Sequence, residues 1–384
     1  MIRFLRLLRS LLKLRWRIFP PRSTNVLLYF VTGSEVIMPY FVKNEMQILD
    51  LRENEINISV ALLCIFDRDL SAQNYATRYI KIVKPKLILT YVDNYPPFFQ
   101  IKKRFPNIQT MMIQNGIRSE RGDLFGDLLQ ELKLEGNHVD HMFVFGSAVG
   151  RIYHKYISGD IIPIGSFKNN SIPKSIGKSK SIAYISTYRP SISGNFIVSD
   201  YEPNNPVTYE QITLRREQTI IFVAEYCKSN KFELIIVGKD EDFASENLYY
   251  QKLLRNYSWT LEPRRSALNS YEVIDNSEIV VFTSSTLGYE ALARGTKTAA
   301  LLIDAKLLDA DALRFGWPAI VKDDGKFWTN RLDEKRFQEI LDYLVTVSDT
   351  DWDKVRLETI REIISYDENN SQFVETLKSL RAEW

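Results

Sequence analysis

Cysteine and histidine are the scarce residues of this 384-residue chain, with two of the first and three of the second. Cys64 and Cys227 lie far apart in apolar or helical contexts. That argues against a disulfide framework and for reduced core residues in a cytosolic protein. There is no CxxC and no Cys/His cluster, and His138, His141 and His154 sit in no catalytic loop. A built-in zinc site and a histidine-based triad are therefore not expected, and neither is a metal or cofactor of any other kind. Internal repeats and low-complexity segments are also missing. So is acid at the start: residues 1–22, "MIRFLRLLRSLLKLRWRIFPPR", contain none. Basic residues interrupt that stretch too often for a transmembrane span, and no small-residue cleavage site follows it.

What the chain does have is apolar mass. Hydrophobic residues make up 45% and aromatics 12%, ample for globular packing, and the length suggests two domains. The net charge of +2 conceals an asymmetry. Seven basic residues fall within 1–22, leaving the remainder with 43 basic against 48 acidic side chains. On a helix, Arg3, Arg6, Arg9, Lys13 and Arg17 share one arc, opposite Phe4, Leu7, Leu8, Leu11, Leu14, Ile18 and Phe19. Residues 1–22 are thus expected to form a basic amphipathic helix. With Trp16 near its end, it would place residues 1–21 on the anionic cytoplasmic face of a membrane. Docking on the protein's own body is the other reading. Pro20-Pro21 would end the helix.

Short β-branched runs then alternate with amphipathic segments. Residues 25–31, 46–51, 85–92, 108–114 and 141–146 read as buried strands, and 75–83 and 97–105 as helices between them. A Ser-, Lys-, Asn- and Gly-rich break at 164–181 looks like an interdomain linker. A second series follows, with strands at 181–187, 232–238, 278–284 and 297–302, a helix at 209–230, and two amphipathic helices toward the end. The expected architecture is α/β, two Rossmann-like domains facing a central cleft. Residues 23–165 form the first domain, 166–180 the linker, 181–330 the second domain and 331–384 C-terminal helices.

In such sheets ligands bind beyond the carboxyl ends of the strands. The stretch "VVFTSSTLGYEALARG" puts Ser284, Ser285 and Thr286 where a strand gives way to a helix, with Glu290 about one turn inside. Free backbone N–H groups, hydroxyls and the helix dipole suit a phosphate there, and Glu290 suits ribose hydroxyls. A plain Ser/Thr helix cap is the simpler reading. "ISTYRPS" offers Ser186, Thr187 and Arg189 after another strand, ahead of a long lid-like loop, and "VGKDED" offers Lys239. In the first domain "TYVDNYPP" and "IQNGIRSERGD" follow strands with Asp93, Asn115, Arg118, Glu120 and Asp123. A general base or a carboxylate nucleophile would come from Asp93, Glu120 or Asp123.

Together "KPKLILTYVDN", "IQNGIRS", "MFVFG", "IPIGSFKNN" and "FTSSTLGYEALARG" resemble GT-B-type glycosyltransferases of bacterial surface-polysaccharide clusters. The similarity extends more remotely to the retaining Kdo transferases of capsule and O-antigen lipopolysaccharide assembly. It implies a nucleotide-sugar donor on the second domain, a lipid-linked glycan acceptor on the first, and metal-independent catalysis. The expected location is peripheral, on the cytoplasmic side of a bacterial inner membrane, with no nucleic-acid partner. Capsule Kdo transferases carry Glu-Asp-Gly where this chain has Gln114-Asn115-Gly116, and amides cannot act as that nucleophile. Either the acid has moved or the donor differs. A 2-epimerase, a polyol-phosphate transferase and a non-catalytic scaffold remain alternatives.

Overall fold

The structure is a computed structural model that describes residues 15–384 apart from 43, 52–54, 121–122, 131–134, 176, 178, 190–205, 240–241 and 267. The proposed lid after Arg189 and most of the proposed N-terminal helix therefore lie outside the described residues.

Strands form at the predicted β-branched and leucine-rich runs, and also at short stretches where none was expected. The strands of the first half are β1 (Arg15–Arg17), β2 (Val26–Tyr29), β3 (Met46–Leu49), β4 (Glu55–Asn57), β5 (Leu87–Thr90), β6 (Gln109–Ile113), β7 (His138–Val144) and β8 (Ser158–Pro163). Six of them make a parallel sheet in the order β3-β2-β5-β6-β7-β8. Every residue of β2 and β5 is buried, as expected of strands covered on both faces. The second half contributes β9 (Ser179–Ile185), β10 (Glu233–Val237), β11 (Thr260–Glu262), β12 (Ser277–Phe282), β13 (Lys297–Leu301), β14 (Asp324–Gly325) and β15 (Trp328–Thr329). Their order is β11-β10-β9-β12-β13-β15-β14, parallel except for the terminal β14–β15 pair. The α/β reading with two Rossmann-like sheets holds. Strand order reverses at β9, which lies between β10 and β12, so the carboxyl ends of these three strands open a crevice.

The helices between the strands are bounded by their own chemistry. Tyr209–Asn230 starts at a capping box, in which Thr208 and Gln211 satisfy each other's backbone N–H groups, and ends at Lys231 with φ 59°. Ala72–Val83 is capped by Ser71 and closes at Lys84 with φ 52°.

One expectation needs correcting. The described end of the basic N-terminal segment is extended, not helical. Arg15–Arg17 pair in parallel with Glu55–Asn57, and Arg17 forms a 2.6 Å ion pair with Glu55. A helical arc reads only local spacing, whereas a strand partner some forty residues away supplies backbone hydrogen bonds that no local pattern reveals. The polar break at 164–181 carries structure of its own. Ser166 caps a short helix, Phe167–Asn170, and Ser166, Asn169 and Asn170 are buried. Asn170 donates to Ile164 O and to Asn370 Oδ1, and Asn169 Oδ1 accepts from Arg294 Nη1.

The final helix, Ser371–Ala382, returns to the first sheet. Phe373, Leu377 and Leu380 pack with Val26, Leu28, Met111, Phe143 and Phe167 in one buried cluster. Asn370 donates to Phe167 O and Tyr40 Oη, and Arg381 binds Glu45 at 2.8 Å. Gly165, at φ 83°, lets the backbones meet, because a Cβ there would lie 2.0 Å from Ser365 O. Phe373→Ala should therefore cost about 3–5 kcal/mol, read as a lower denaturation midpoint. An unchanged midpoint would mean that this helix contributes little to the first sheet.

Candidate functional site

β12 is apolar and buried, and its chain turns at Thr283-Ser284-Ser285 into the helix Thr286–Arg294. Ser285 is extended at φ −163°, and its Oγ accepts from Leu287 N at 3.2 Å. The cap expected on simple grounds is thus present. It leaves Ser284 exposed at the crevice. Gly288 lets the helix sit directly on the strand, since a Cβ there would come 2.1 Å from the Phe282 ring.

A cavity of about 440 Å³ lies over the ends of β9, β10 and β12. Ser186 lines it after β9, Gly238 and Lys239 after β10, and Ser284, Ser285 and Thr286 after β12. Tyr91 and Asn115 close it from the first sheet, and Lys168 comes from the connecting segment. Three cationic side chains, Lys168, Lys239 and Arg264, border the mouth of one helix N-terminus, which makes the cavity suited to an anion. Burial lowers the affinity of the Lys168 ammonium for its proton, partly offset by nearby Glu290.

Glu290 also lines this cavity while almost completely buried. Ser166 Oγ donates to its Oε1 at 2.5 Å and Tyr271 Oη to its Oε2 at 2.9 Å. Burial pushes its carboxyl up, and those two hydrogen bonds oppose the shift. One turn further, Arg294 has no exposed side-chain surface. It pairs with Asp275 at 2.5 Å and donates to the carbonyls of Asn169, Ile172 and Pro173. A single helix therefore carries the cavity at one end and holds the connecting segment with the other.

Ser186 serves the site from behind. Its hydroxyl faces Glu246 and lies 2.8 Å from Tyr250 Oη, away from a phosphate-binding pose. Glu246, fully buried, also accepts from the Lys239 backbone N–H at 3.2 Å. Thr187 is buried and Arg189 exposed. Arg189 lines a second cavity of about 530 Å³, which shares Ser284, Ser285 and Thr286 with the first. Gly116, Ile117 and Ser119 form its opposite wall, and Arg216 and Asp304 lie on the near side. Asp304 accepts two hydrogen bonds from Arg216 through Oδ2.

The residues proposed for catalysis divide into two groups. Asp93 has no exposed surface, and its carboxylate takes Arg118 Nε at 2.7 Å, Arg118 Nη2, and Tyr153 Oη at 2.6 Å. Arg118 Nη2 also reaches Asn115 Oδ1 at 2.6 Å, and Asn115 Nδ2 donates to Tyr91 O at 2.6 Å. Gln114 accepts from Phe145 N and donates to Gly116 O. These bonds lock the QNGIR loop against the ends of β5 and β6. Asp123 accepts from Ser119 N at 2.9 Å, directly before a π-helical turn at Leu124–Leu128. Glu120 alone among the three carboxylates is exposed. Composition could not single out Ser166, Lys168, Tyr271, Glu246 or Arg264, because their proximity depends on how the two sheets meet. Arg118→Ala would leave Asp93 buried without its cation. A loss of about 3–5 kcal/mol in unfolding free energy is expected, and a loss below 1 kcal/mol would remove the locking role.

Solved structures share the fold. The UDP-GlcNAc 2-epimerase from Neisseria meningitidis bound to UDP-GlcNAc superposes with a TM-score of 0.52 at 11% identity, covering 92% of this chain and 99% of that one. The wall teichoic acid polymerase TagF gives 0.52 at 11% identity, covering 94% and 90%. The UDP-GlcNAc 2-epimerase from Methanocaldococcus jannaschii gives 0.52 at 9%, covering 93% and 99%. At such identities the likeness shows the GT-B-type fold alone. No curated protein matches the chain by sequence. The family described as "putative O-antigen biosynthesis protein" matches residues 111–381, most of the length, and the chain belongs to that family.

Proposed function

We propose that this protein is a glycosyltransferase that moves a sugar from a nucleotide-activated donor to a lipid-linked surface glycan, on the cytoplasmic side of a bacterial membrane. The observation that carries the reading is the pair of adjoining cavities that share Ser284, Ser285 and Thr286. In it the first cavity takes the nucleoside, Glu290 the ribose hydroxyls, and the start of the Thr286–Arg294 helix the phosphates, with Lys239 and Arg264 neutralising their charge. The leaving diphosphate is thereby stabilised by fixed dipoles and cations. The second cavity takes the sugar and the acceptor. Asp93 and Arg118 position the wall formed by Asn115 and Gly116. Proton transfer falls to Glu120, next to Ser119 of the second cavity, with Asp123 holding the loop.

A 2-epimerase reading rests on the shared fold and would use the first cavity in the same way. The second cavity favours transfer, because about 530 Å³ is room for more than the sugar of the donor itself.

A screen of CMP-, UDP-, GDP- and dTDP-sugars for thermal stabilisation tests the nucleotide assignment. At a concentration a hundredfold above Kd, one class should add about 2.7 kcal/mol of stability. Lys239→Ala with Arg264→Ala should weaken that ligand by about tenfold or more and leave the unliganded protein's stability unchanged. No response to any nucleotide would favour the scaffold reading. With the responding donor, release of nucleotide only when a lipid-linked acceptor is present supports transfer, and change of the sugar without an acceptor supports epimerisation.

A further inference from the structure

The helix Ile58–Phe66 has the sequence ISVALLCIF, nine residues without a charge. Only Val60 and Cys64 are buried. Leu62 and Ile65 are more than half exposed, and Phe66 is 87% exposed. A surface helix normally turns charged or polar residues outward, so this one has its pattern inverted. Apolar area left in water costs about 25 cal/mol per Å², and contiguous patches of it mark contact surfaces.

The helix is not alone. Ser59 Oγ donates to Ile18 O, and Asn57 Nδ2 donates to Phe19 O at 2.7 Å. Ile18, 70% exposed, and Phe19, 84% exposed, therefore sit at the start of the helix. From Ser59 the row continues at three- and four-residue steps through Leu62 and Phe66, which places them on one side. Leu70, also exposed, lies just beyond the end of the helix.

The charges around this ridge lean toward the basic side. Two nearby carboxylates are neutralised, Glu55 by Arg17 and Asp67 by Arg78, whereas Asp69 keeps its charge while accepting from the Ser71 N–H. Arg68 is exposed at the end of the helix, and the segment that delivers Ile18 and Phe19 holds seven basic residues and no acid over positions 1–22. Protruding apolar side chains beside unneutralised cations complement an anionic lipid surface, where apolar groups enter the acyl boundary and cations meet the headgroups. We propose that the ridge of Ile18, Phe19, Leu62, Ile65 and Phe66 inserts into the surface of an anionic bilayer. This deepens the membrane location in the proposed function. It rests on exposure and charge, so a failed nucleotide screen would not touch it.

The test uses the full chain with vesicles of phosphatidylcholine containing phosphatidylglycerol. Leu62→Ser combined with Phe66→Ser should reduce partitioning by about tenfold or more, with the unfolding temperature unchanged because both side chains are already in water. A polarity-sensitive fluorophore attached in a Phe66→Cys variant should shift to the blue on adding these vesicles. Buried Cys64 and Cys227 are poor competitors for the label. Unchanged partitioning of the double variant, or no spectral shift, overturns the proposal. So does a dimer in solution that the double variant dissociates without effect on vesicles, since the ridge would then face a second copy. A third overturning result is that deleting residues 1–14 raises partitioning while the double variant destabilises only the full chain. The ridge would then be covered by that segment. If deleting 1–14 instead lowers partitioning while the fluorophore shift persists, the ridge inserts without that segment, as the proposal requires.

Discussion

The buried Arg294–Asp275 pair is the constraint on which the rest of the arrangement depends. An arginine without exposed side-chain surface is tolerated only if its charge is paired and its donors are used. Here the remaining donors go to backbone carbonyls of the connecting segment at Asn169, Ile172 and Pro173. The planar guanidinium can serve several acceptors at once, which a lysine cannot. Because Glu290 lies one turn earlier on the same helix and binds Ser166, the connecting segment is held at two points by one rigid element. The walls of the cavity that come from Lys168 and Tyr91 are placed relative to Ser284 by these contacts. Cavity shape and the join between the sheets are thus one problem, solved by the residues of "YEALARG".

A second network does the same for the opposite wall. Asp93, Arg118, Tyr153 and Asn115 form a closed set in which the carboxylate meets a guanidinium, a phenol and, more weakly, a backbone N–H. Desolvation and the neighbouring carboxylate push the Tyr153 phenol well up, so it stays a donor. Such a set is stiff because removing any member leaves a buried polar group without its partner. A conspicuous acid in a polar loop therefore shapes the site here without facing it.

Much of the fold was legible because it depends on local pattern. The runs "NVLLYF", "KLILTY" and "EIVVF" could only be buried strands, and the long helix was read at 209–230, the bounds it has. β8, β11 and the short β14–β15 pair were missed, being brief or half-buried with little periodicity. β1 was read as helix because its arc of basic residues fits one, and its true partner, β4, is distant in sequence. Of the candidate site, Ser284, Ser285, Thr286, Glu290 and Lys239 were readable from strand ends and do share one cavity. Tyr271, Lys168 and Arg264 were not, since no spacing rule links them to "FTSST". Ser186 shows the converse: its position after β9 was right, but a buried glutamate sixty residues on decides where its hydroxyl points.

The return of Ser371–Ala382 to the first sheet bears on how the molecule is made. Phe373, Leu377 and Leu380 complete a core whose other members begin at Val26. During synthesis the early strands emerge long before their last covering helix, and domains that are contiguous in sequence fold as they appear. This one is not contiguous. One face of its first sheet has to wait, uncovered, until residues 371–382 have been made, so the opening half of the protein reaches its final packing only after the whole second sheet has been synthesised.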